Sequence, residues 1–163
     1  MGGYKVGDKV VYAPHGAGMV VATTHRDDSF GEYLSIRIAQ SNMTLMVPAS
    51  AADEKGVRPI IEPKRAKELL KSLADGGEPL PDNPQHRARQ GQERTKTGQA
   101  DVLAAVLRDY TDLERAGKKL SATELRTLTT AKLMFSSEIA LVEDIDIAAA
   151  AARVELALGN EPD

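Results

Sequence analysis

The sequence predicts an α+β protein: a small β-barrel over residues 1–61, then an all-helical domain of about five helices over residues 62–163. Three observations carry this. Before residue 61, short apolar runs alternate with period two and are broken by Gly, Pro, Asn and Asp. After residue 61 the apolar period changes to three and four. The second part is also divided by helix caps and glycine stops.

The elements follow in order. Residues 5–12 are rich in Val and place Val6, Val10 and Tyr12 on one strand face, with Gly7-Asp8 as a turn or bulge. Ala13-Pro14-His15-Gly16-Ala17-Gly18 breaks the pattern, because Pro14 restricts φ. Residues 19–22 resume an apolar strand, and Asp27-Asp28-Ser29-Phe30-Gly31 is a polar turn. In the next strand Leu34, Ile36 and Ile38 alternate with Ser35 and Arg37. Ser41-Asn42 is a turn, and Met43, Leu45 and Val47 alternate until Pro48 stops them. Four short strands at close spacing make a curled sheet or barrel.

Glu62-Pro63 opens the first helix, with Pro in the first turn, where its missing N–H is tolerated. Leu69, Leu70 and Leu73 form its stripe, Gly76-Gly77 ends it, and residues 78–84 are a proline-stiffened linker. A second helix over residues 84–96, capped by Asp82 or Asn83, is polar nearly all round and contains Gly91; Gly98 closes it. Val102, Leu103, Val106, Leu107, Tyr110 and Leu113 mark the third helix, ended by Gly117. Ser121-Ala122-Thr123-Glu124 is a capping box for a fourth, whose apolar set is Leu125, Leu128, Leu133, Ile139 and Val142. Asp144 or Asp146 caps a fifth, which runs to Leu158 and stops at Gly159.

Composition narrows the function. Hydrophobic residues make up 42% and charged residues 28%, as a folded domain requires, while aromatics at 4% leave the core to aliphatic side chains and Met. With no Cys there is neither a disulfide framework nor a thiolate metal site, which fits a reducing cytoplasm. No signal-peptide pattern opens the chain, and no apolar run approaches the roughly 20 residues of a membrane span. No long apolar edge or heptad seam calls for a dimer, so a monomer is expected. The net charge of −3 hides a local excess: residues 84–96 hold four Lys/Arg and His86 against the single acid Glu93.

No catalytic constellation emerges, so the chain is read as a non-enzyme without a cofactor. His15, His25 and His86 form no metal-binding pairing, and no phosphate loop or nucleophile elbow occurs. Asp109 and Asp112 read as a solvated helix face. Two features remain. The barrel edge either accepts another chain's strand or is simply capped. The basic segment with His86, Arg87, Arg89, Arg94 and Lys96 either meets phosphates or is a solvated face.

Several motifs are similar to a known family. Lys5-Val6-Gly7-Asp8-Lys9-Val10-Val11-Tyr12, His15-Gly16-Ala17-Gly18, Val47-Pro48 and Gly56-Val57-Arg58 resemble the polymerase-interacting domain of the CarD/CdnL family of bacterial transcription regulators. Residues 102–113 with Leu120-Ser121-Ala122-Thr123-Glu124 resemble its helical half, in the same order along the chain. The N-terminal motif also occurs in transcription–repair coupling factors, but no helicase follows here. The resemblance implies a Tudor-like barrel docked on the β subunit of RNA polymerase through Arg26, Met46, Val47 and Pro48. It also implies a helical domain at promoter DNA, touching the minor groove and backbone through Pro84, His86, Arg87, Arg89 and Arg94. Open-complex stability would change without turnover, and the protein would be cytoplasmic, reaching the nucleoid through the polymerase.

Two positions depart from the family pattern. The wedge Trp that partly unstacks a base step in the family falls on Pro84, and the chain has no Trp. The basic residue before Val-Pro falls on Met46. The resemblance therefore implies a weakened or altered DNA wedge. The alternative is a polymerase-bound protein–protein adaptor with little DNA contact.

Overall fold

The computed structural model describes residues 3–13, 15–74 and 80–160. Pro14, the Gly76-Gly77 helix stop and the first part of the 78–84 linker lie outside the described residues. Five strands, β1 (Lys9–Tyr12), β2 (Gly16–His25), β3 (Glu32–Ile38), β4 (Thr44–Pro48) and β5 (Val57–Pro59), form one antiparallel sheet in the order β4-β3-β2-β1-β5. Helices α1 (Pro63–Ser72), α2 (Pro84–Lys96), α3 (Ala100–Arg115), α4 (Ala122–Glu143) and α5 (Ile147–Ala157) follow.

The sheet is open, with β4 and β5 as edges, so the barrel is a loose one. It is nonetheless wrapped round a core. Val47 on one edge strand and Val57 on the other share a buried cluster with Val10, Val20, Leu34, Ile36 and Ile38. The Leu34, Ile36, Ile38 alternation thus points inward as the period-two pattern requires. β5, three residues long, was too short to show that pattern. The alternation predicts Val6 on the strand face, but Gly7 turns the chain at φ +97° and leaves Val6 exposed.

The helical core surrounds Tyr110 and Phe135, both fully buried. Ser121 and Glu124 close the predicted capping box at α4, and Asp146 caps α5 by accepting from the Ala149 N–H at 2.8 Å. The periodicity predicts Leu125 and Leu133 in the apolar stripe, but both are exposed. The stripe that is buried runs through Leu128, Ala131, Phe135 and Ile139, and Leu125 and Leu133 both fall to one side of it.

Sheet and helices meet along α4. The Ser137 hydroxyl accepts from the Ala17 N–H at 3.1 Å, and Lys9 Nζ donates to the Leu141 carbonyl at 2.9 Å. Val11, the cross-strand partner of Arg58, is buried. Arg58 reaches from β5 to Glu138, donating Nη1 to Oε2 at 2.8 Å and Nη2 to Oε1 at 2.6 Å. Its Nη2 also donates to the Gly98 carbonyl at 2.7 Å, and the Ile61 N–H donates to Glu138 Oε2 at 2.8 Å. At Gly98 (φ +65°) a Cβ would lie 2.6 Å from that of Ala13, so only glycine lets the α2–α3 turn sit this close to the sheet. Arg58 therefore ties the β5 edge strand to α4, and among the described residues no side-chain hydrogen bond ties β4 to a helix.

Candidate functional site

Two surfaces collect the candidate residues. The first lies along the open edge. β4 pairs only with β3, so half of its backbone N–H and C=O groups face away from the sheet. Arg26, just past the end of β2, crosses to this edge. Its Nη2 lies 3.3 Å from Met46 Sδ, and its guanidinium carbon lies 5.0 Å from the centre of the Tyr33 ring. The Tyr33 hydroxyl donates to Asp28 at 2.9 Å, and this bond to a carboxylate pushes its pKa above the ordinary tyrosine range. Phe30 meets Tyr33 edge-on at 6.4 Å between ring centres.

Arg26 and Met46 thus stand together on a face that also carries the exposed Phe30. Val47 does not share it: alternation along β4 turns its side chain into the core, so it can offer a partner only backbone atoms. Pro48 is half-buried and ends the strand.

The second surface is α2. Asn83 is its cap, accepting from the N–H groups of Gln85 at 3.0 Å and His86 at 3.1 Å, with Pro84 at the first helical position. Pro84, His86 and Arg89 are exposed. Arg87 is not. Its side chain is inside the domain, with Nε donating to Glu124 Oε2 at 2.6 Å and Nη2 to Oε1 at 3.2 Å. The reading of Arg87 as a phosphate contact is therefore corrected, because its guanidinium already holds a buried carboxylate. Burial raises the Glu124 pKa, but the bonds from Arg87 and the Ser121 N–H outweigh it and leave the net shift below the ordinary glutamate value.

Arg94 is only partly available, since Nη1 lies 3.8 Å from Asp109 Oδ2. Asp109 is buried, which overturns its reading as part of a solvated face, whereas Asp112 is exposed and pairs with Arg108. Four residues expected on one broad face are thus spread round the helix. At 3.6 residues per turn, Arg89, Gln92 and Lys96 share the outer flank, His86 lies to one side, and Arg94, seven residues from Arg87, falls close to its inward direction.

The polar helix α2 is held by tertiary contacts rather than an apolar stripe. Besides the Arg87–Glu124 pair, a Cβ at Gly91 would meet Tyr110 Oη at 2.2 Å, so this glycine is a packing requirement. Tyr110 donates weakly to the Arg87 carbonyl at 3.4 Å, and burial pushes its hydroxyl pKa up to about 12.

Arg126 was missed by sequence reasoning. It lines a groove between α2 and α4 with Lys96 and several threonines. The available signal was the spacing of Thr123, Arg126, Thr127 and Thr130, which puts a polar flank beside the Leu128 stripe.

Known families match nearly the whole chain. Residues 4–61 match the family model described as CarD-like/TRCF RID domain, and residues 68–155 match CarD, C-terminal domain. The chain is 28% identical over 144 residues to "Putative transcription factor YdeB" of Bacillus subtilis (strain 168), covering 87% of this chain and 94% of that protein.

Proposed function

The chain belongs to the CarD family of transcription factors, and from that premise we propose that it regulates initiation by joining RNA polymerase to promoter DNA. Transcription regulation follows from the family. The finer reading has the polymerase β subunit adding to the β4 edge, with Arg26 and Met46 giving side-chain contact and Val47 and Pro48 shaping the strand. The observation that carries it is the asymmetry of the two edge strands: Arg58 on β5 is held by Glu138 of α4, while β4 lies open beside Arg26.

The DNA side is read as the exposed α2 surface, with Pro84, His86 and Arg89 nearest the duplex and Arg94 contributing from its pair with Asp109. Arg87 supports this face from within by anchoring α2 to α4. Arginine contacts to phosphate set position and not sequence, so this grip is salt-sensitive and general. With Pro84 in the wedge position, backbone contact replaces much of the base-step insertion. The protein then acts as a cytoplasmic monomer, without cofactor or turnover, by shifting the closed–open equilibrium of the promoter complex.

Missing indole chemistry favours a second reading, a polymerase-bound adaptor whose helical domain meets another protein. Open-complex lifetime, measured with wild type and Arg89→Ala at two salt concentrations, separates the two. The DNA reading expects a shorter lifetime and a shallower salt dependence for Arg89→Ala. An unchanged lifetime with polymerase binding intact selects the adaptor.

A further inference from the structure

We propose that the groove between α2 and α4 is a phosphate-binding site, with the chemistry to hold a pyrophosphate-like group of a nucleotide. It goes beyond the DNA reading, which rests on Pro84, His86, Arg89 and Arg94, none of which lines the groove. The groove encloses about 330 Å³ and is lined by Gln92, Thr95, Lys96, Thr123, Arg126, Thr127 and Thr130. That volume lies at the small end of ligand pockets, the range of a compact phosphorylated molecule.

The donor set points to an anion. Two cations, four hydroxyls and one amide line the groove, with no carboxylate among them. The carboxylate next in sequence, Glu124, is buried and bonded to Arg87. Among the described residues neither Lys96 nor Arg126 stands in an ion pair.

The hydroxyls divide into two pairs. Thr95 donates to the Gly91 carbonyl at 2.7 Å and Thr127 to the Thr123 carbonyl at 3.1 Å, so those two hydroxyl protons are engaged within their helices. Thr123 Oγ1 accepts from Arg126 Nη2 at 3.3 Å, which leaves its own proton able to donate. Among the described residues the Thr130 hydroxyl has no partner. Thr123, Thr130, Gln92, Lys96 and Arg126 therefore line one groove with donors, the groups that phosphate oxygens require.

Two further facts favour the assignment. Thr123 and Arg126 lie in the first turns of α4, a 22-residue helix whose N-terminal dipole attracts anions. Residues 123–130 also contain Thr123, Thr127, Thr129 and Thr130, although β-branched Thr is a weak helix former and none belongs to the apolar core.

Phosphate reaches such a groove either from a free phosphorylated metabolite or from a DNA backbone. The test is a residue-resolved amide NMR titration of the full chain with sodium pyrophosphate at matched ionic strength, and separately with a short DNA duplex. Saturable shifts on residues 92–96 and 123–130 are expected with pyrophosphate. Lys96→Gln/Arg126→Gln should weaken that binding about tenfold or more, and Thr130→Val, which keeps side-chain shape, about threefold. Arg89→Gln should leave it unchanged, so failure of the DNA reading is distinguishable from failure of this one.

If DNA displaces pyrophosphate, the groove takes both sources; if it does not, the small molecule is the ligand. Groove shifts with DNA alone, abolished in the double variant, assign the backbone as the source. No groove shift with either probe, or shifts that persist in the double variant at wild-type affinity, overturns the site. Thermal unfolding of the variants at the wild-type temperature keeps loss of binding separate from loss of fold.

Discussion

Arg58 on β5 and Glu138 on α4 are joined by two hydrogen bonds of 2.8 and 2.6 Å across the junction of sheet and helices. Glu138 is buried and also takes the Ile61 N–H, so the carboxylate ties together an edge strand, the segment leading to α1 and the long helix. Removing one partner strands the other charge. Glu138→Gln is expected to destabilise the protein by about 3 kcal/mol, read as a lower denaturant midpoint. The transitions of the two halves should also separate. A midpoint equal to wild type would show that the pair does not couple them.

Arg87 and Arg89 are two residues apart and predict opposite outcomes. Arg87→Ala leaves Glu124 buried without its guanidinium, and a loss of about 3–5 kcal/mol is expected. Arg89→Ala changes an exposed site and should stay within about 0.5 kcal/mol of wild type. Urea unfolding of both variants checks this. Equal stabilities would mean that Arg87 does not anchor α2.

The same pair predicts a pH dependence. The net pKa of Glu124 is lowered in the folded protein, so its contribution is fully present above the free glutamate value of about 4.3 and lost as pH falls through the lower folded value. Glu124→Gln should therefore show its largest deficit near neutral pH, with the gap to wild type closing in acid. A gap of constant size from neutral pH into that acid range contradicts the linkage.

Gly91→Ala pits helix propensity against packing. Alanine gains about 1 kcal/mol as a helix former, but its Cβ would lie 2.2 Å from Tyr110 Oη. Overpacking of about 1–3 kcal/mol should win, giving a net loss. Adding Tyr110→Phe removes the clashing atom, so the alanine should be better tolerated in that background. A double-mutant cycle with no coupling would refute the contact.

On the functional side, Arg26→Glu reverses charge beside Met46 and Tyr33 and should weaken pull-down of a polymerase β fragment. Pro84→Trp supplies an indole at an exposed helix start and should lengthen open-complex lifetime, by a factor consistent with about 1–3 kcal/mol of apolar contact. Equal recovery of the fragment, or a footprint that places residue 84 far from DNA, would count against the respective surface.

What the residues determined by themselves was local. Period-two alternation oriented Leu34, Ile36 and Ile38, and the Ser121–Glu124 and Asn83–Pro84 signals started two helices, because these interactions span only a few residues. What only tertiary structure decided was the direction of each charged side chain round its helix and the fate of each sheet edge. Arg87 and Arg89 look equally basic in the chain, yet Glu124, 37 residues beyond Arg87, draws one inward and leaves the other outside. Glu138, 80 residues from Arg58, likewise ties β5 to α4, a contact that β4 does not make. A buried carboxylate must find its cation wherever the fold brings one, and no local pattern records that choice.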